Sequence, residues 1–343
     1  MINIDERQFI PLKNYISEYK ELNSTGEFAP VAVGRYGIRT RESIYSKELA
    51  KDYSKNKLIF KDTLTVGMGS VQIDIGILTD DVTYSVSPAY HTYRISGIDS
   101  DYLRYCLQCR NKDMFLRYVK RGSRQGKSID LKRWLTYEIP VYSDVQQNEI
   151  VKNLKISEKI IEKRKLQLKY LEDLISGRFV EFFGDIILND KEWHTDSWNR
   201  IVKIVNGRNQ KHVESKTGNY LICGSGGAMG RATEYLVKEN SVIVGRKGNI
   251  NKPILMREKY WNVDTAFGIE PNESIVNVDY LYMFCMFFDF ERLNKAVTIP
   301  SLTKADLLEI KMPIPPMALQ EQFAAFVEQV DKSKLCGEME VAA

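Results

Sequence analysis

The sequence has few of the residues that build metal centres and disulfide frameworks. Only five cysteines and three histidines occur in 343 residues. Cys106 and Cys109 form a CxxC pair, but no second pair and no paired histidines accompany them, which argues against a zinc site. An odd, scattered set of cysteines is typical of reduced thiols in an intracellular protein. We therefore predict free thiols, no metal site and no bound cofactor.

Long apolar runs are also missing. No stretch of about 18 apolar residues occurs, and the opening residues MINIDERQF do not resemble a signal peptide, so we expect a soluble, cytoplasmic protein without a membrane partner. The length favours two domains, and 43% apolar residues supply their cores. The net charge of +4 is mildly basic. The distribution of charge therefore says more about partners than the total does.

Motifs for catalysis are absent as well. Residues 122–128 imitate a phosphate loop, but Arg121 stands where that loop needs its first glycine. Residues 224–229 imitate a dinucleotide loop, with Met229 in place of the third glycine, and a glycine-rich hairpin is the favoured interpretation. We find no nucleophile elbow, metalloprotease helix, methyltransferase loop or carboxylate pair. The sequence predicts a protein that is not an enzyme, with an unrecognised catalytic site as the alternative.

What the sequence does have is a long amphipathic stretch, residues 146–175. Its apolar residues recur at alternating steps of four and three, as in the seam of a coiled coil. The seam residues are Ile150, Leu154, Ile161, Leu168, Leu171 and Ile175, interrupted by Ser157 and Arg164. Gly177 is placed to end the helix as a C-terminal cap. A coiled-coil spacer and a long helix lying on one domain both fit this stretch alone.

The two halves of the chain repeat each other. SIDLKRWLTYEIPV (128–141) aligns without a gap with SLTKADLLEIKMPI (301–314), at an offset of 173 residues that also places Gln147 on Gln320. Each half predicts strands, among them 63–68 and 73–78, and an apolar helix, at 101–109 and 279–288. Ser128 and Ser301 are the predicted N-caps of the short helices that follow. The repeat indicates a tandem duplication of one α/β module.

A second long helix follows the second module. Residues 318–334 place Phe323, Val327 and Val330 on one face, where they can pair with the first helix. We therefore predict an α/β (α+β) module at 1–143, a central helix at 144–179, a second module at 180–317 and a shortened helix at 318–343. Pairing of the two helices would give an antiparallel coiled-coil spacer.

Positive charge gathers in glycine-containing segments of both modules. Arg and Lys neutralise phosphates, and Arg, Asn and Gln can read base edges. The candidate DNA contacts are Arg117, Lys120, Arg121, Arg124, Gln125 and Lys127 in the first module, and Arg208, Asn209, Lys211, Arg246, Lys247, Asn249 and Lys252 in the second. A solvated surface is the other interpretation. Two related modules that each carry a basic loop favour double-stranded DNA.

The sequence resembles the specificity subunit of type I restriction–modification enzymes. The resemblance rests on the helix exit KLQLKYLEDLISGRFVEFFGD (165–185) and on the module exits IPVYSDVQQNEIV (139–151) and MPIPPMALQEQFAAFV (312–327). It also rests on the interior of the second module, from YLICGSGGAMG to WNVDTAFGI (220–269). The match is weaker in residues 1–127.

The resemblance implies a non-catalytic subunit of a larger complex. Each module would be a target-recognition domain that binds half of a bipartite, asymmetric DNA site. The helices would dock two modification (methyltransferase) subunits, and restriction (motor–nuclease) subunits would join them. S-adenosylmethionine, ATP and Mg would be bound by those partners. The short last helix leaves two alternatives: a scaffold or decoy without productive DNA recognition, and self-association through that helix.

Overall fold

The chain divides into two compact units, residues 1–160 and 161–343. The computed structural model describes residues 7–44, 52–122, 126–295 and 300–342, without the side chains of residues 42, 121, 122 and 335–342. Both units combine antiparallel sheets with helices, so the predicted mixed α/β class is confirmed.

The first unit is built on a four-stranded antiparallel sheet. Its strands are β1 (Gln8–Pro11), β2 (Ile16–Tyr19), β3 (Val31–Gly34), β4 (Gly37–Thr40), β5 (Lys57–Ile59), β6 (Thr63–Met68), β7 (Ile73–Leu78), β8 (Tyr84–Val86), β9 (His91–Ile95), β10 (Val119–Gly122), β11 (Gly126–Ile129) and β12 (Glu138–Val141), and its helices are α1 (Ser100–Tyr118) and α2 (Leu131–Trp134). The central sheet has the order β2-β9-β6-β7. Strands β6 and β7 have the predicted bounds, because each is a short apolar run of the kind that a doubly covered strand needs.

The core of the first unit lies between this sheet and α1. Leu64 and Val66 of β6 and Leu103 and Leu107 of α1 are fully buried there. Helix α1 begins at Asp99, whose side chain accepts a hydrogen bond from the Tyr102 amide at 2.7 Å. It continues well past the predicted end at residue 109, since the charged residues there face solvent.

The second unit also combines a four-stranded antiparallel sheet with helices. Its strands are β13 (Thr195–Ser197), β14 (Val202–Asn206), β15 (Tyr220–Gly224), β16 (Gly227–Ala232), β17 (Ser241–Gly245), β18 (Ile254–Met256), β19 (Tyr260–Asn262), β20 (Ala266–Pro271) and β21 (Lys311–Pro313), and its helices are α4 (Trp198–Ile201), α5 (Val278–Phe287), α6 (Lys304–Leu308) and α7 (Met317–Ala342). The central sheet has the order β14-β20-β17-β18. The predicted hairpin at 224–229 is confirmed, with Gly224 paired to Gly227.

The boundary between the units falls within one helix, α3 (Asp144–Phe183), which is 40 residues long. The prediction that Gly177 ends this helix is wrong. The helix ends at Gly184, which has a φ of +74° and whose amide donates to the Val180 carbonyl at 2.8 Å. Phe179 and Phe183 are fully buried, and burying two phenylalanines outweighs the roughly 1 kcal/mol that one interior glycine costs a helix.

Both predicted N-caps are wrong by two residues. The Asp130 carboxylate accepts from the Arg133 amide at 3.3 Å, and the Thr303 hydroxyl accepts from the Asp306 amide at 3.2 Å. Ser128 lies in β11, and Ser301 forms a bridge with Lys247. Because both serines are paired with neighbouring strand residues, the helices begin only after them.

The last helix, α7, has 26 residues and is shorter than α3, which has 40. It continues to Ala342, past the apolar face that the sequence placed at residues 318–334. Phe323, Val327 and Val330 lie in one buried cluster with Phe179 and Phe183 of α3. The rings of Phe179 and Phe323 meet edge to face, 5.3 Å between centroids.

Candidate nucleic-acid interface

In the first unit the predicted DNA contacts lie at the end of α1 and on the β10–β11 hairpin. Two of them are already paired with acids. Arg117 bonds Asp113 at 2.7 Å, and Lys120 bonds Asp130 at 2.6 Å. A hydrogen bond from the Tyr137 hydroxyl, followed by Arg117, lowers the pKa of Asp113. Lys120 likewise lowers the pKa of Asp130, so both acids are charged at neutral pH.

Lys127 joins this hairpin to the β6–β7 turn. Its ammonium donates to the Ser70 carbonyl and lies 5.4 Å from the centre of the Phe115 ring. Arg124 and Gln125 lie outside the described residues, as does the side chain of Arg121. The described cations of this cluster are therefore engaged within the unit.

In the second unit, loops from distant parts of the sequence meet along residues 262–266. The Arg208 amide donates to the Asn262 carbonyl at 3.0 Å, and the Arg246 amide donates to the Thr265 carbonyl at 2.8 Å. The side chains of Arg208 and Arg246 are both exposed. Two predicted contacts that are nearly 40 residues apart thus flank one segment.

The β15–β16 hairpin lies against the same segment. A Cβ built on Gly224 would stand 3.1 Å from the Thr265 hydroxyl, and one built on Gly226 would stand 4.0 Å from the Asn249 amide nitrogen. Lys247 joins the group through its amide, which donates to the Thr265 carbonyl at 3.3 Å. We call this surface the loop face. It comprises Arg208, Gly224, Gly226, Arg246, Lys247, Asn249 and Thr265.

The other predicted residues of this unit lie at its margin. Asn209 accepts a hydrogen bond from the Lys211 amide at 2.9 Å, which fixes a turn beside Arg208. Lys252 follows Asn251, whose side-chain amide donates to Asp289 at 2.8 Å. None of the described contacts joins Lys252 to the loop face.

The glycines that follow the central strands let the chain approach itself. A Cβ on Gly245 would lie 2.3 Å from the Asn249 carbonyl oxygen, so this glycine permits the tight basic loop. A Cβ on Gly67 would lie 2.4 Å from the Tyr90 ring. At both positions the missing side chain makes room for another segment of the chain.

One cluster of basic residues was not predicted from the sequence. The β3–β4 hairpin turns through Arg35 and Tyr36, and Tyr36 is 69% exposed. The guanidinium carbons of Arg35 and Arg39 lie 5.7 and 5.3 Å from its ring centre. The signal in the sequence is the stretch GRYGIRTR (34–41), where two glycines enclose a two-residue turn between strands.

The predicted seam residues of the long helices divide into three groups. Ile175 is buried with Phe323, Val327 and Val330 in the second unit. Ile150, Leu168 and Leu171 are half-buried. Leu154 and Ile161 are exposed by 36% and 37%. Pairing along the whole seam stays a prediction.

The described residues contain no group of three or more His, Cys, Asp or Glu residues placed to hold a metal ion. None of the described helices is long and apolar enough to cross a membrane.

The loop face presents exposed cations on a mixed α/β unit, as many nucleic-acid-binding surfaces do. Comparisons with known proteins indicate which family such a unit resembles. The model of the type I restriction modification DNA specificity domain matches residues 190–336. This match, which lies within the second unit, confirms the resemblance inferred from the sequence. No curated protein matches the sequence.

Solved structures share the fold. The S subunit of a type I restriction-modification system from M. genitalium is similar with a TM-score of 0.60 at 15% identity, over 100% of this chain and 94% of that one. A structure from work on complex assembly and conformational transition of the type I R-M system is similar with a TM-score of 0.54 at 14% identity, over 100% and 94%. At these identities the likeness shows the fold.

Proposed function

We propose that the chain is the non-catalytic DNA-recognition subunit of a type I restriction–modification complex, and that each unit binds one half of a bipartite, asymmetric site. The observation that carries the proposal is the loop face. It gathers Arg208, Arg246 and Lys247 on the domain that matches the specificity family. Guanidinium and ammonium groups bind phosphates, and Asn249 adds an amide able to pair with a base edge.

Recognition of two half-sites requires two modules, and matched hydrogen bonds support a tandem duplication. Buried Gln147, near the start of α3, accepts from the Asp99 amide at 3.2 Å and donates to the Tyr142 carbonyl at 2.8 Å. Buried Gln320, near the start of α7, accepts from the Asn277 amide and donates to the Pro315 carbonyl, both at 2.8 Å. Asp99 and Asn277 are the N-caps of α1 and α5, so each glutamine has the same task.

A second pair of contacts has the same form. The Tyr102 hydroxyl donates to the Pro140 carbonyl at 2.7 Å, and the Tyr280 hydroxyl donates to the Pro313 carbonyl at 2.8 Å. Both prolines lie in the strand that leads out of the module, β12 or β21. Three matched side-chain hydrogen bonds on corresponding elements support two copies of one module.

In this proposal α3 is the spacer and part of the docking surface for modification subunits. Its first part contacts the first unit, where the Tyr105 hydroxyl donates to Glu158 at 2.6 Å. Its last part is buried with α7 in the second unit. Exposed apolar residues of α3, among them Leu154 and Ile161, are available to a partner helix. S-adenosylmethionine, ATP and Mg would be held by the modification and restriction subunits.

The salt dependence of DNA binding tests the role of the loop face. We expect Arg246→Ala/Lys247→Ala to reduce the slope of log affinity against log salt by about 1.8 in magnitude, because each lost phosphate contact removes roughly 0.9. The measurement is fluorescence anisotropy of a random-sequence duplex titrated with the full chain. Lys165→Ala/Lys169→Ala, on the exposed side of α3, removes the same charge and is the matched control. Equal slopes for the loop variant and the wild type would remove the loop face from the DNA interface.

A further inference from the structure

We propose that the first unit contacts DNA through the tip of its β3–β4 hairpin, with Arg35 and Arg39 on phosphates and the Tyr36 ring against a base or sugar. This inference rests on the proposed function and deepens it. It assigns the two units different elements for the same task, because their exposed charge lies at different places in the shared fold.

The β3–β4 and β15–β16 hairpins occupy corresponding places in the two units. In each unit a hairpin with a two-residue turn lies, along the chain, between two strands of the central sheet. The β3–β4 hairpin lies between β2 and β6, and the β15–β16 hairpin lies between β14 and β17. Each has a glycine of positive φ directly after the turn, Gly37 at +78° and Gly227 at +101°. The turn residues are thus Arg35 and Tyr36 in the first unit, and Ser225 and Gly226 in the second.

The two units carry their exposed lysines and arginines at different places. In the second unit the hairpin turn is neutral, and the cations are in the neighbouring loop after β17, which carries Arg246 and Lys247. In the first unit the loop after β6, residues 69–72, has no lysine or arginine, and the hairpin carries the cations. The exposed cations therefore lie in the loop after β17 in the second unit and in the β3–β4 hairpin in the first.

The base of the hairpin lies beside the end of β6. The Tyr90 ring covers Gly67 of β6, and the Tyr90 hydroxyl donates to the Val33 carbonyl of β3 at 2.9 Å. A depression of about 310 Å³ lies there, with Val31, Arg41 and Met68 in its wall. Nearer the tip, Tyr36 and Arg39 line a separate depression of about 310 Å³ together with Asp80 and Arg104, so the tip presents its cations away from the β6 loop.

The base of the β3–β4 hairpin is packed into the first unit, whereas its tip is exposed. Val31 and Val33 are buried, and Ile38 packs so closely on β7 that a Cβ on Gly76 would lie 2.6 Å from it. A tip on a rigid base keeps its contact geometry without a large ordering cost on binding.

The chemistry of the tip favours a polyanion over a protein surface. Arg35, Arg39 and Arg41 follow one another within GRYGIRTR without an acid. Within the described ranges no carboxylate lies in ion-pair distance of Arg35 or Arg39. An exposed aromatic ring beside two guanidiniums matches the stacking and phosphate contacts of nucleic-acid-binding surfaces.

The test uses the full chain and a random-sequence duplex that contains 5-iododeoxyuridine. We expect Arg35→Ala/Arg39→Ala to reduce the magnitude of the salt slope by about 1.8. Tyr36→Ala should weaken binding roughly tenfold, while Tyr36→Phe, which keeps the ring, should bind like the wild type. Ultraviolet crosslinking should give an adduct in the peptide that contains Tyr36. Lys152→Ala/Lys159→Ala on α3 is the charge-matched control, and unchanged thermal unfolding shows that the tip variants fold.

Three results would overturn the inference, and they differ in what else they overturn. A wild-type chain that does not bind the duplex removes the proposed function together with this one. A wild-type chain that binds, with unchanged slopes in the tip variants and adducts only outside residues 35–39, removes the hairpin assignment alone. Tip variants that keep DNA binding but lose a modification subunit would make the hairpin a protein-docking surface.

Discussion

Gln147 and Gln320 show how single residues hold each unit to its following helix. Both are nearly completely buried, and both use the side-chain oxygen and nitrogen at once. A buried polar group is tolerated only when its hydrogen bonds are made, so these two positions accept few other residues.

Replacement of Gln320 should therefore be costly. We expect Gln320→Ala to lower the free energy of unfolding of the second unit by about 2–4 kcal/mol, since it leaves the Asn277 amide and two carbonyls without partners. Urea unfolding followed by tryptophan fluorescence measures the loss, and hydrogen exchange at Asn277 should accelerate. Gln329→Ala, at an exposed position of the same helix, should change little. A similar small effect at residue 320 would contradict the role given to it.

The sequence located these glutamines through the 173-residue offset, but it placed the helix caps wrongly. Ser128 and Asp130 are both good cap residues, and propensity does not separate them. The choice is made by β11, which holds Ser128 in an extended conformation through pairing with β10. Tertiary pairing of this kind is not visible in a local pattern.

At the scale of elements, α3 offers two glycines with opposite roles. Gly177 lies inside the helix with open space around its missing Cβ. Gly184 ends the helix at a φ of +74°, and a Cβ there would lie 2.0 Å from the Asp190 carboxylate.

The two alanine variants should move stability in opposite directions. Gly177→Ala should stabilise the chain by about 0.5–1 kcal/mol, because alanine is the better helix former. Gly184→Ala should destabilise it by at least roughly 1–2 kcal/mol, the usual cost of left-handed backbone for an L-residue. Urea midpoints of the two variants check this together. Destabilisation by Gly177→Ala would mean that the helix ends or bends there.

Elements with a strong apolar pattern were predictable from the sequence, and surfaces were not. Strands β6 and β7 matched their predicted bounds, whereas α1 was predicted to be half its length because charged residues interrupt its pattern. The hairpin with Tyr36 was missed, since its strands have only four residues each. Arg208 and Arg246 flank one segment because of the path of residues 262–266, which the sequence does not reveal.

At the scale of the whole molecule, the central claim is that two related units read two separate DNA segments. The repeated glutamine and tyrosine contacts support two copies of one module, and the differing loops give each copy its own chemistry. We expect half-sites about one helical turn apart, which is the spacing at which two DNA-binding units contact the same side of a duplex.

Methylation mapping tests this claim most directly. The chain is reconstituted with modification subunits and S-adenosylmethionine, and the methylated adenines of a long, complex DNA are then sequenced. The account predicts one asymmetric motif with two specified segments and an unspecified gap between them. A single continuous motif, or no methylation by an assembled complex, would contradict it.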